Sequence, residues 1–176
     1  MLVDLTAPLG QYPVNNALMT HMDLYYTGKA IPMESLVTEC VLLDAAHSEN
    51  PVITEEAVGG IEDVGENFSV IIRTGWEKYR ESERYDQCPE VDEKLVKALV
   101  KKGVRLILVD SPGVRGGARG EIHNRTDQYL SDNNAFAVEN LVNTSLLDRR
   151  RFTLYCFPLP MSEQNWAPCR VAARLE

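Results

Sequence analysis

The segment Thr20-His21-Met22-Asp23 places an imidazole and a carboxylate two residues apart. In an extended segment, residues two apart point to the same side, so His21 and Asp23 would face one cavity. One imidazole and one carboxylate on a common face supply half of a divalent-metal site. Ordinary surface turns also contain His-x-Asp pairs, and for the pair taken alone a turn is the commoner explanation.

Two further carboxylates, Asp127 and Glu139, stand twelve residues apart later in the chain. The apolar residues between 132 and 147 recur at helical spacing, which predicts a helix there. Glu139 lies within this predicted helix between apolar neighbours, and Asp127 precedes it. A solvated helix position for Glu139 and a turn or capping role for Asp127 are the alternatives.

Other patterns exclude several kinds of chemistry. The glycine-rich loop at residues 113–120 lacks the Lys-Ser/Thr ending of a phosphate loop and does not match the dinucleotide fingerprint. No Gly-x-Ser-x-Gly elbow is present, and no cysteine has a histidine at a suggestive spacing. His47 and His123 have no partner at metal-ligand spacing and are predicted to lie on the surface. The four cysteines form no CxxC pair, which predicts reduced thiols.

The elements that must position these groups follow from the apolar pattern. Short β-branched runs predict buried strands, and the spacing from Val91 to Val100 predicts an amphipathic helix that stops at Gly103. Strands alternate with helices, so we expect an α/β domain with a mixed sheet and ligands near strand ends. The predicted strands cover residues 36–43, 68–73, 104–109 and 152–157, and the predicted helices cover 89–102 and 132–147.

Composition limits the partners. The chain has 176 residues, which predicts a single domain over residues 1–176. Its net charge of −8 disfavours a surface that binds nucleic-acid phosphates or anionic lipid. No apolar run approaches the roughly 20 residues of a membrane helix, and no secretory signal is visible at the N-terminus. We therefore expect a cytoplasmic protein with a small-molecule substrate, and neither a nucleic-acid nor a membrane partner.

Several segments, taken together, point to a known family. They are Asp4-Leu5-Thr6-Ala7-Pro8-Leu9, Thr20-His21-Met22-Asp23, Ile72-Arg73-Thr74-Gly75-Trp76, Asp110-Ser111-Pro112, Glu139-Asn140-Leu141 and Ala167-Pro168-Cys169-Arg170-Val171. In this order they resemble the cyclase family of metal-dependent hydrolases, which includes bacterial kynurenine formamidase and isatin hydrolase. The resemblance implies a swivelling β/β/α fold and assembly as a homodimer or homotetramer. It also implies a divalent metal, Mn or Zn, that activates water to open a small amide, formamide or lactone.

The resemblance carries over only in part to the family's metal motif. His21 and Asp23 are retained, but the motif's first histidine falls on Ala17 and its last, the acid/base, on Thr27. The family has a second metal-binding segment, in which a histidine precedes a glutamate by twelve residues. Here Asp127 stands in place of that histidine, and the glutamate is retained as Glu139.

The resemblance thus implies a metal site of His21, Asp23, Asp127 and Glu139, with catalytic roles for Asp23 and Glu139. Three carboxylates and one imidazole lean towards a hard ion such as Mn²⁺, and the change at Ala17 favours one ion over two. The implied substrate contacts are Tyr25, Thr27 and Trp76. A catalytically inactive family member that binds a small molecule or acts as a subunit is nearly as well supported.

Overall fold

The structure is a computed structural model that describes residues 1–8, 18–24, 31–116, 121–161 and 165–176. Residues 121–124 enter only as helix backbone. The strands are β1 Leu2–Asp4, β2 His21–Asp23, β3 Val37–Asp44, β4 Val52–Ile53, β5 Ser69–Arg73, β6 Glu90–Val91, β7 Leu106–Val109, β8 Phe136–Glu139, β9 Arg151–Pro158 and β10 Trp166–Arg174. The α-helices are α1 Glu55–Val58, α2 Glu93–Lys101 and α3 Glu121–Asp132. Short 3₁₀ turns lie at Met33–Ser35, Ile61–Asp63, Trp76–Tyr79, Glu83–Gln87 and Thr144–Leu146.

The main sheet closes into a seven-stranded barrel. Its strands follow one another in the order β10, β2, β8, β7, β5, β3 and β9, and β9 pairs back onto β10. The four strands from β8 to β3 are parallel, whereas β2, β9 and β10 join their neighbours antiparallel. The mixed α/β sheet is therefore confirmed, and its closure leaves no free edge within the ring. The swivelling β/β/α description stays a prediction.

Apolar side chains alternate between two cores. Residues such as Met22, Leu108 and Val138 fill the inside of the barrel. Their neighbours along the strands, such as Ile107, point outward and pack with the apolar face of α2. Because the central strands are buried on both faces, they read as nearly continuous apolar runs, which is why they were predictable. Helix α2 begins after Asp92, whose carboxylate accepts a hydrogen bond from the Lys94 N–H at 3.0 Å.

The predicted helix over residues 132–147 is wrong. Helix α3 ends at Asp132, where that prediction began, and Phe136–Glu139 is strand β8. Asn134 has a left-handed φ of 55°, and the Ala135 N–H donates to the Leu130 carbonyl at 2.9 Å, so the chain leaves the helix here. The following apolar run lies between β7 and β2 and is buried on both faces. Pairing with two strands outweighs a spacing that also suits a helix.

None of the helices in the described ranges is both long and apolar enough to cross a lipid bilayer.

Candidate metal centre

Strand β2 presents His21 and Asp23 on the outer face of the barrel, while Met22 between them points inside. The Nε2 atom of His21 lies 3.4 Å from Oδ1 of Asp23. Both side chains are buried, with 2% and 6% of their surfaces exposed. The predicted same-side placement follows from the two-residue period of a strand.

Glu139 joins this pair from the neighbouring strand. It is the last residue of β8 and lies directly opposite His21 in the antiparallel register. Its Oε2 atom lies 3.7 Å from Nε2 of His21. One ligand atom from each of His21, Asp23 and Glu139 lies within 4.8 Å of the others. Glu139 lies far from the other two residues in sequence, and only the strand register brings it to them.

Hydrogen bonds orient two of the three side chains. Nδ1 of His21 lies 2.8 Å from the Met19 carbonyl oxygen, which can only accept, so Nδ1 carries the hydrogen. Nε2 is then the ring nitrogen that faces the two carboxylates and is placed to bind a metal ion. The Val114 N–H donates to Oε1 of Glu139 at 3.0 Å, which leaves Oε2 facing His21.

Asp127 approaches from helix α3. It is buried and, together with Asp23 and Ser131, lines a cavity of about 10 Å³ between the helix and β8. Such a volume admits roughly one water-sized particle. Asp127 is not in the group of three whose ligand atoms lie within 4.8 Å of one another. The structure therefore brings three of the four predicted ligands together and places the fourth on the cavity beside Asp23.

Three buried carboxyl groups lie close together at this site. Burial, and then the Asp23 carboxylate, raise the pKa of Asp127 to about 8. The same two causes raise the pKa of Glu139 well above its ordinary value, against the Val114 hydrogen bond. Among the described residues, no lysine or arginine forms an ion pair with Asp23 or Glu139. Oδ2 of Asp23 is buried and has no hydrogen-bond partner in this part of the chain. A divalent cation suits both the charge and the donor set.

A comparison with protein families decides the assignment. The family model described as "Putative cyclase" matches residues 3–115. The chain belongs to this family. The resemblance stated from the sequence is thereby confirmed for the cyclase family as a whole.

Solved structures share the cyclase-family fold. A potential metal-dependent hydrolase with cyclase activity is 22% identical, with a TM-score of 0.80 over 98% of this chain and 96% of the other. Isatin hydrolase A from Labrenzia aggregata is 20% identical, with a TM-score of 0.82 over 98% and 93%. The same enzyme from Ralstonia solanacearum is 18% identical, with a TM-score of 0.79 over 98% and 91%. None of the curated proteins compared with this chain matches it. At these identities the likeness concerns the fold.

The remaining predicted residues of this cyclase-family chain lie elsewhere. Tyr25, Thr27 and Ala17 fall outside the described residues, as does the side chain of His123. Trp76 lines a separate cavity of about 520 Å³, to which none of the four predicted metal ligands contributes. The substrate contact at Trp76 stays a prediction.

Sequence reasoning missed a second layer around His21. The Tyr85 hydroxyl donates to Oδ1 of Asn140 at 2.9 Å, and Nδ2 of Asn140 lies 3.5 Å from Nδ1 of His21. The Trp166 ring stands edge-on to the imidazole, with centroids 5.9 Å apart. Asn140 could have been identified from the sequence, because it directly follows Glu139, which is a predicted metal ligand. Nothing in the sequence connects Tyr85 with this site.

Proposed function

We propose that this protein is a metal-dependent hydrolase of a small amide, formamide or lactone. The observation that carries the proposal is the buried group of His21, Asp23 and Glu139, whose donor atoms converge with no lysine or arginine paired to them among the described residues. Membership of the cyclase family and the fold shared with isatin hydrolases support the same reaction class. A kynurenine formamidase-like activity belongs to this proposal.

The proposed cofactor is one divalent ion, Mn²⁺ or Zn²⁺. His21 would contribute Nε2, and Asp23 and Glu139 would contribute carboxylate oxygens, a mixed donor set that both ions accept. Asp127 is the proposed fourth ligand because it lines the same small cavity as Asp23.

A divalent ion at this place would polarise a carbonyl group and make a water molecule acidic near neutral pH. The side chains supply the rest. Asp23 and Glu139 are the proposed catalytic residues, whose carboxylates would bind the ion and take up the proton of the water, and the Val114 N–H keeps Glu139 in position. A metal-bound carboxylate is a weaker base than a well-placed histidine, which would cost about 10²–10⁴ in rate. Tyr25 and Thr27 are the proposed substrate contacts.

A specific observation favours a second candidate. The family's motif places histidines where this chain has Ala17 and Thr27, and a threonine cannot serve as a general base near neutral pH. A catalytically inactive family member, acting as a small-molecule binder or subunit, follows from those two changes. In either case we propose assembly as a homodimer or homotetramer and a cytoplasmic location.

Metal loading tests the site. The purified protein is treated with a chelator, reloaded with Mn²⁺ or Zn²⁺, and analysed for bound metal by elemental analysis. We expect one equivalent of metal in the wild type and a metal affinity at least about 100-fold lower in Asp23→Asn. Loss of a residue that only hydrogen-bonds to a ligand already weakens metal binding about 10–100-fold, and loss of the ligand itself should cost more. Asp132→Asn is the matched control, because this exposed carboxylate on α3 bonds only Gln128 among the described residues.

Metal that never loads, or that loads equally well into Asp23→Asn, would contradict the metal site and with it the hydrolase. The loaded protein is then assayed on a panel of aryl formamides, small amides and lactones. Turnover that disappears in Asp23→Asn supports the hydrolase. Stoichiometric metal without turnover on the panel favours the inactive binder.

A further inference from the structure

A second cavity opens at the carboxyl ends of β3 and β5. It has a volume of about 520 Å³, within the range of small-molecule sites. Its wall combines two half-buried aromatic rings with charged side chains, and the residues that matter here are His47, Glu49, Trp76, Lys78, Tyr79 and Arg84.

The aromatic rings hold the two cations of the wall in place. The guanidinium carbon of Arg84 lies 4.2 Å from the centroid of the Tyr79 ring and 5.3 Å from that of Trp76. Nζ of Lys78 lies 5.1 Å from the Tyr79 centroid, and the two rings themselves are 4.7 Å apart. A guanidinium stacked on a ring keeps its N–H donors free at the edge, where they can bind a carboxylate.

Neither cation is neutralised by a neighbour. Lys78 and Arg84 form no ion pair within the described ranges, although both are exposed. Glu77, which directly precedes Lys78 in sequence, accepts hydrogen bonds from Thr144 and Ser145 instead. Lys78 and Arg84 face Glu49 as the charged residues of the cavity lining, so the lining itself carries one more positive than negative charge. An excess of positive charge on a cavity wall attracts anions.

The cavity is separate from the candidate metal centre. The two cavities share no lining residue, and two strand spacings, about 10 Å, lie between the end of β8 and the end of β5. The connection between the two places is indirect. The indole N–H of Trp76 donates to the Tyr85 carbonyl at 3.0 Å, and the Tyr85 hydroxyl reaches Asn140.

We propose that this cavity binds a small organic anion, a carboxylate attached to an apolar or aromatic body. Arg84 and Lys78 bind the carboxylate, and the Trp76 and Tyr79 rings contact the body of the ligand. The site goes beyond the proposed hydrolase and does not depend on its metal.

Calorimetric titration of the full chain with phenylacetate tests the proposal. Phenylacetamide keeps the shape without the charge, acetate keeps the charge without the ring, and inorganic phosphate is a plain anion. We expect phenylacetate to bind at one site and each of the other three at least about tenfold more weakly. Arg84→Gln should weaken phenylacetate binding about tenfold or more. Arg149→Gln is the control, because it removes an exposed arginine outside the cavity, and it should leave phenylacetate binding unchanged.

Circular dichroism melting checks that Arg84→Gln still folds, and Lys78→Gln gives an independent variant with the same expected direction. Binding that is equal for phenylacetate and phenylacetamide, or unaffected by both variants, would overturn the proposal. Phosphate or acetate binding as tightly as phenylacetate would overturn the part that concerns the apolar body. The titration is repeated on chelator-treated protein. Unchanged binding there, whatever the outcome of metal loading, separates this site from the proposed metal centre.

Discussion

At the scale of single residues, His21 depends on contacts from three parts of the chain. The Met19 carbonyl accepts its Nδ1 hydrogen, the Asn140 amide lies beside it, and Tyr85 fixes that amide through its hydroxyl. Asn140 has a left-handed φ of 62°, which asparagine tolerates better than most residues. Its carbonyl also accepts a hydrogen bond from the Thr20 hydroxyl at 2.7 Å. The Met19 carbonyl therefore orients the imidazole without contributing a ligand atom, and the Asn140 amide packs beside the ring.

Tyr85→Phe tests this support. The change removes the hydroxyl and leaves Oδ1 of the buried Asn140 without that donor, which should lower the free energy of unfolding by about 1–3 kcal/mol. We expect weaker Mn²⁺ or Zn²⁺ binding as well, by about tenfold, because the amide beside His21 is freed. Chemical denaturation and metal titration measure the two effects. Tyr155→Phe, a change on the partly exposed face of β9, is the control. Wild-type behaviour of Tyr85→Phe in both measurements would refute the supporting role.

At the scale of elements, an ion pair joins the carboxyl ends of two parallel strands. Asp44 ends β3 and Arg73 ends β5, and the two are partners in the register. The guanidinium contacts both carboxylate oxygens, with Nε to Oδ1 at 2.9 Å. Arg73 also donates to the carbonyls of Thr144 and Leu147, so it ties the loop after β8 to the sheet. This pair stabilises the carboxyl ends of β3 and β5, beside the 520 Å³ cavity.

Asp44→Asn should therefore destabilise the fold by about 1 kcal/mol at pH 7. The hydrogen bond from Arg73 lowers the pKa of Asp44. In the unfolded chain the pKa of Asp44 is near 3.8, and in the folded protein it is lower. Asp44 therefore stabilises the folded state fully above pH 3.8, and this stabilisation is lost as the pH falls through the lower pKa of the folded protein. Urea denaturation should thus show a wild-type advantage at pH 7 that shrinks towards pH about 3. Asp148→Asn, which affects an exposed pair with Arg149, should change stability by less than about 0.5 kcal/mol. A cost for Asp44→Asn that persists unchanged at low pH would argue against the ion pair.

At the scale of the whole molecule, the buried carboxylates couple folding to pH and to metal. The pKa of Asp127 is raised to about 8, so the folded protein holds a proton that the unfolded chain releases near 3.8. The stabilisation from that proton is complete below the unfolded pKa and is lost as the pH rises through about 8. Glu139 shifts in the same direction, again through burial and Asp23.

The melting temperature of the chelator-treated protein should consequently fall between pH about 5 and 8. Asp127→Asn should flatten this slope, and Asp132→Asn should retain it. A bound cation replaces the proton, so metal at 100 times its dissociation constant should stabilise the wild type by about 2.7 kcal/mol, most visibly at the higher pH. A metal-free protein whose stability rises over this pH range would contradict the buried-carboxylate account.

Local patterns in the sequence were sufficient for features that depend on neighbouring residues. The two-residue period of a strand puts His21 and Asp23 on one side, and continuous apolar runs mark strands buried on both faces. The four cysteines, expected to be reduced thiols, are free and buried. The order of motifs also indicated the cyclase family.

Only the tertiary structure decided what depends on pairing between distant segments. The register of β2 against β8 sets Glu139 opposite His21, and the closure of the barrel sets which face each strand turns outward. The residues around Glu139 have a spacing that suits a helix, yet two neighbouring strands fix them as a strand. The Tyr85–Asn140 contact has no local signal at all. Side-chain periodicity is a property of one segment, whereas register and closure are properties of several segments at once, and the site is assembled by the latter.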